Sequence, residues 1–99
     1  MASVQWTVPA KHHLRSVYDF IAQDSPFYAK KVTDDIVTQS ERLALFPRSG
    51  RIVPELQDDA IRELLVSSYR LIYGILDEEA VVILALVHSK RDLSGGLPQ

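Results

Sequence analysis

At 99 residues, 46% hydrophobic and 24% charged, the chain is sized and composed for one globular domain around a single core. It contains no cysteine, which excludes a disulfide framework, a thiolate metal site and a thiol nucleophile. A net charge of −2 argues against a partner held mainly through phosphate contacts. The N-terminal stretch MASVQWTVPAKHH has no basic region followed by an apolar one, so no signal peptide is expected. No apolar run approaches the ~20 residues that span a bilayer, and a cytoplasmic protein without membrane contact is expected.

In chain order, Ser3 to Val8 alternates Val4, Trp6 and Val8 with Ser3, Gln5 and Thr7, a strand with one apolar face and Trp6 in the core. Pro9 suits the first turn of a helix. From Ala10 to Gln23, Leu14, Val17, Tyr18 and Ile21 form one apolar stripe. Ser25 followed by Pro26 marks a second helix start. Its inner face is expected to carry Tyr28, Val32, Ile36 and Leu43, with Ala29 and Ser40 filling gaps, and Phe46-Pro47 to end it. So short a break predicts an antiparallel helical hairpin.

Arg48 to Arg51 reads as a turn, Ile52-Val53 as a short strand and Glu55 to Ala60 as an acidic loop. Ile61 to His88 holds three runs rich in β-branched and aromatic residues, separated by Ser67-Ser68 and by Asp77-Glu78-Glu79, which predicts a three-stranded meander. The run Ala80 to Val87 has no polar residue, as in a central strand covered on both faces. A two-residue turn at Ser67-Ser68 sets Val66 opposite Tyr69, Leu65 opposite Arg70 and Arg62 opposite Tyr73. Arg70, Ile72 and Gly74 then share one face and Tyr69, Leu71 and Tyr73 the other. Residues 93–99 (LSGGLPQ) read as a frayed tail. The order β-α-α-β-β-β-β gives one α+β domain over 1–99, a helical hairpin laid on a mostly antiparallel sheet.

That order, with FPRSGR after the second helix, then IRELLVSSYRLIYGI and VVILALVHSKRDL, resembles the RelE/ParE superfamily of bacterial type II toxins over nearly the whole chain. Phe46, Pro47, Gly50, Arg51, Arg62, Glu63, Leu64, Tyr69, Arg70, Tyr73 and His88 are most similar to the ParE branch. The resemblance implies a toxin held inactive by a cognate antitoxin, in a toxin–antitoxin hetero-oligomer, with no cofactor. The ParE branch poisons DNA gyrase. The RelE branch cleaves mRNA on the ribosome. Fold alone does not choose between them.

Metal-independent RNA cleavage needs a base, an acid and a cation for the phosphorane, and Glu55, His88 and Arg70 supply those types. The resemblance to YoeB-like members places Arg70 and His88 at matching positions and Glu55 in the corresponding loop. The chain departs from that pattern at Ser89, where an aromatic usually follows the histidine. It departs again in Glu55 to Glu63, where four acidic residues and one arginine replace a basic cluster. The bland alternatives are an ion pair from Arg70 to Glu63, one diagonal step away, and a hydrogen-bonded strand end for His88. His12 and His13 are adjacent, so on a helix they diverge by ~100° and do not chelate a metal.

Under the binding reading, Arg62, Arg70, His88, Lys90 and Arg91 are the polar candidates for partner contacts, and Phe20, Phe27 and Val37 the apolar ones. Three readings remain open. One is a ParE-like gyrase inhibitor, the second an mRNA endoribonuclease acting at the ribosome through Glu55, Arg70 and His88. The third is a degenerate, non-toxic binding module.

Overall fold

Two hydroxyl caps set the helical half of the molecule. In the computed structural model, which describes residues 1–99, β1 (Ser3–Trp6) ends at Thr7, whose Oγ1 accepts from the Ala10 N–H at 3.3 Å. Thr7 is the N-cap of α1 (Val8–Ala22), with Pro9 in the first turn where its missing N–H costs nothing. Ser25 caps α2 (Pro26–Arg42) in the same way, accepting from the Tyr28 N–H at 3.1 Å. Ala29, Val32, Ile36, Ser40 and Leu43 form the buried stripe of α2. Tyr28 does not belong to it, contrary to expectation, and is 49% exposed. The spacing 29, 32, 36, 40, 43 already completes one helical face, and a neighbour one residue earlier is rotated ~100° off it. The helix also stops at Arg42 rather than Phe46, because the amides of Leu43, Ala44 and Leu45 bond three residues back and tighten the chain out of α geometry.

The sheet contains β2 (Arg51–Ile52), β3 (Ile61–Val66), β4 (Tyr69–Asp77) and β5 (Ala80–His88), in the order β1-β5-β4-β3-β2. The β3–β4 register is the one expected, with Val66 opposite Tyr69, Leu65 opposite Arg70 and Glu63 opposite Ile72. Ser67 makes the turn with φ of 55°. β5 lies between β4 and β1, and β1 runs parallel to it, Ser3 beside Ala80 and Trp6 beside Ile83. Ile72 faces Ala85 but Tyr73 faces Ile83, so Leu84 is an extra residue bulged out of the ladder.

The sheet is covered on both faces. Between helices and sheet, Val17, Val32 and Ile36 pack against Leu71, Tyr73 and Ile83. The other face carries Ile72, Ala85 and Val87 and is roofed by Val53 and Leu93, with Leu56 and Leu97 beside them. The tail expectation is therefore corrected at its start. Leu93 is fully buried and Leu97 packs against the same cluster, because an exposed β4–β5 face of this apolarity needs a cover that no helix provides.

The FPRSGR turn is held by one phenol. The Tyr73 hydroxyl donates to the Pro47 carbonyl at 2.7 Å and accepts from the Gly50 N–H at 3.0 Å. A Cβ at Gly50 would lie 2.5 Å from the Glu63 carbonyl oxygen and 2.7 Å from that hydroxyl, so glycine is required there by close approach.

Candidate functional site

Arg70 lies on the sheet face away from the helices and is almost wholly buried. Strand pairing sets it one step from Glu63, and its Nε donates to Glu63 Oε1 at 2.7 Å. The loop after β2 brings up Glu55, which takes a bidentate pair from the two terminal nitrogens at 2.8 and 2.7 Å. A fourth contact reaches the Arg91 carbonyl at 2.9 Å. Glu55 also accepts from the Leu93 N–H at 3.1 Å, and Arg51 pairs with the second oxygen of Glu63. No buried side-chain nitrogen or oxygen lacks a partner. The Arg70 guanidinium holds the Glu55 carboxyl down to about 2, aided by the Leu93 amide and opposed by desolvation. The same pairing, with Glu55 first and Glu63 second, raises Arg70 above its ordinary value.

His88 stands on the opposite face. It is the direct partner of Tyr69, whose ring it meets edge-on at 5.9 Å, and its Nδ1 accepts from the Lys90 N–H at 3.2 Å. The structure thus brings Glu55 and Arg70 together and leaves His88 across the sheet from both. Glu55 is engaged in three charge-assisted contacts at a pKa of about 2, so it is no proton acceptor near neutrality. Arg70 has no free donor directed at solvent. As arranged, the three residue types do not converge on one reacting phosphate.

The other candidates divide. Arg62 is spent on the loops around it, bonding Asp59 through both side chain (2.9 Å) and carbonyl (3.1 Å) and reaching the Gly50 carbonyl at 3.0 Å. Phe20 and Phe27 are 68% and 82% exposed. Val37 is half-buried in a shallow groove between the helices with Leu14 and Tyr18. Lys90 and Arg91 are exposed. Phe20, His88 and Arg91 come together on a cleft of about 500 Å³ between α1 and the end of β5, whereas Phe27, Val37 and Arg62 do not line it. A larger cleft of about 710 Å³ lies at the other end of the sheet, between Phe46-Pro47 and Leu76-Asp77. Among the residues lining the first cleft that the sequence does not mark as functional are His13 and Pro98. His13 bonds the Leu86 amide, and Pro98 forms part of the wall. Nothing in the local sequence marks His13, because its partner Leu86 lies 73 residues away in the chain.

Residues 4–93 match the family described as the ParE toxin of the type II toxin–antitoxin system parDE. The chain belongs to the ParE toxin family. A curated relative, toxin RelE2 of Caulobacter vibrioides, is 31% identical over 91 residues, covering 92% of this chain and 99% of the relative. Among solved structures, the chromosomal ParDE toxin–antitoxin system of P. aeruginosa superimposes with a TM-score of 0.74 at 24% identity, over 91% of this chain and 98% of that one. The toxin–antitoxin complex RelBE2 of Mycobacterium tuberculosis gives 0.64 at 24% identity, over 88% and 96%. These two likenesses establish the shared fold. For this ParE-family toxin the RelE/ParE architecture expected from sequence is the observed one.

Proposed function

We propose that this toxin acts by gripping another protein, with DNA gyrase as target and a cognate antitoxin as neutralising partner. The observation that carries the reading is the state of Arg70. Its guanidinium is closed off by Glu55, Glu63 and the Arg91 carbonyl, and His88 stands on the far face. A cleavage centre would need those groups free and convergent. The cleft bounded by Phe20, His88 and Arg91 instead offers exposed apolar surface beside an arginine side chain without an ion-pair partner, the composition of a protein-binding surface. The antitoxin's amphipathic segment is placed along the helical groove at Val37 and this cleft, in a toxin–antitoxin hetero-oligomer. Purified toxin should inhibit gyrase supercoiling and leave ribosome-bound mRNA intact; the opposite result defeats the reading.

A second reading is favoured by the 31% identity to a protein named RelE2 and by the adjacency of Glu55 and Arg70. In it the chain is a ribosome-dependent mRNA endoribonuclease whose binding site on the ribosome pulls Glu55 from Arg70. Primer extension on translated mRNA after induction decides it. Growth unaffected by expression without antitoxin points instead to a non-toxic binding module.

A further inference from the structure

β1 is shorter than the strand it pairs with. Its ladder to β5 covers Ala80 to Ile83 and closes with the Thr7 amide on the Ile83 carbonyl. From Leu84 to His88, β5 has β4 on one side and no strand on the other. The extra residue at Leu84 changes which residues direct main-chain groups away from β4, and the Leu86 N–H consequently points out at this free edge. An open strand edge is a place where another extended chain pairs.

The edge is not left bare. His13, from α1, presents Nδ1 to the Leu86 N–H at 3.2 Å, where a neighbouring strand's carbonyl would sit. Its Nε2 faces the Gln99 main-chain oxygen at 3.3 Å, so the ring accepts through Nδ1 and can donate through Nε2. The tail arrives by crossing the edge. Leu97 packs on the Val53 and Leu93 side of the sheet, whereas Pro98 and Gln99 line the cleft on the Phe20 and His88 side. We propose that His13 and residues 97–99 form a displaceable latch over the free edge of β5, which yields to an extended acidic segment of the neutralising partner.

The latch makes one hydrogen bond to the strand where a paired chain would make several, so exchange for a true strand is favourable. The cleft lining carries the Arg91 guanidinium and no acidic side chain, in a chain whose net charge is −2. That guanidinium, with no carboxylate side chain beside it, selects an acidic occupant. Phe20 supplies an apolar seat for alternate side chains of an incoming strand. The inference rests on the reading that an antitoxin neutralises this toxin, and adds where its extended part docks and what must move.

Amide exchange at Leu86, followed by NMR on the full chain and on His13→Ala, Leu97→Ser and the double variant, free and bound to the antitoxin encoded beside it, tests the latch. In the free protein, exchange at Leu86 should quicken about tenfold in His13→Ala. In the complex, Leu86 should be equally protected with and without His13. The double variant should bind the antitoxin about three- to tenfold more tightly, since nothing competes for the edge, and Arg91→Glu should weaken binding by a similar factor. Leu86 exchanging in bound His13→Ala as fast as in the free variant, with unchanged affinity for the double variant, overturns the latch while leaving neutralisation by the antitoxin intact. Self-association of the unlatched variant through this edge, seen by sedimentation, assigns the occupant to a second copy and overturns the partner class. Absence of any complex with the antitoxin removes the functional reading and the latch with it.

Discussion

Replacing Arg70 by methionine keeps the volume of the side chain and removes its charge and its four hydrogen bonds to Glu63, Glu55 and the Arg91 carbonyl. The two carboxylates then fare differently. Glu55 is 18% exposed at the side chain and keeps the Leu93 amide, so water replaces much of what it loses. Glu63 is fully buried and retains only Arg51, itself well exposed. Leaving one buried charge half-compensated costs about 3–5 kcal/mol, and the surviving Arg51 contact puts this case near 3. At about 4–8 °C per kcal/mol for a domain of this size, the midpoint should fall by about 12–24 °C. Urea unfolding with an unchanged m-value is the appropriate assay. Adding Glu63→Leu should restore stability to within about 1 kcal/mol of the parent, because the buried charge goes with its partner. A single-variant loss below about 1 kcal/mol, or no rescue by the second change, would refute the account of Arg70 as a structural tie.

Acid should release the same tie. Glu55 is depressed from 4.5 to about 2, so its contribution is complete above pH about 4.5 and vanishes as pH falls toward 2; Glu55→Gln should flatten the urea midpoint across that window. Some slope will remain, since Asp59, beside Arg48, and Asp92, beside Ser94, are lowered as well. Tyr73→Phe strands the Gly50 amide and should cost about 1–3 kcal/mol in the same assay. Gly50→Ala drives a methyl group into the Glu63 carbonyl and the Tyr73 hydroxyl and should cost at least as much, about 1–3 kcal/mol or more. Phe20→Ser should leave the midpoint within about 0.5 kcal/mol yet weaken antitoxin binding, measured by calorimetry.

The meander was legible because its register is local: a two-residue turn and a period of two leave one pairing that keeps Leu71 and Tyr73 toward the helices. The helix caps at Ser25 and Pro26 were legible for the same reason, and so was the pairing of Arg70 with Glu63. What escaped was set at long range. Leu93, flanked by Asp92 and Ser94, has no periodic neighbour to mark it as core, and only the uncovered β4–β5 face gives it a place. Tyr28 was misplaced by trusting a four-residue step where the stripe begins at Ala29. Glu55 was singled out as a residue able to take part in chemistry, but its lowered carboxyl depends on an arginine fifteen positions on and an amide thirty-eight positions on. His13 was read with His12 as a failed metal pair, and its real partner, Leu86, is 73 residues downstream.

The parallel seam between the first and last strands has a bearing on biosynthesis. The Thr7 hydroxyl meets the Ile83 carbonyl 76 residues later, so the opening strand has no strand to pair with until nearly all of the polypeptide has left the ribosome. At about 5–20 residues per second that interval is roughly 4–15 s. Through it the helices are already able to form, with Val17, Val32 and Ile36 facing no sheet. A chain caught in that interval therefore shows apolar side chains that the finished domain hides.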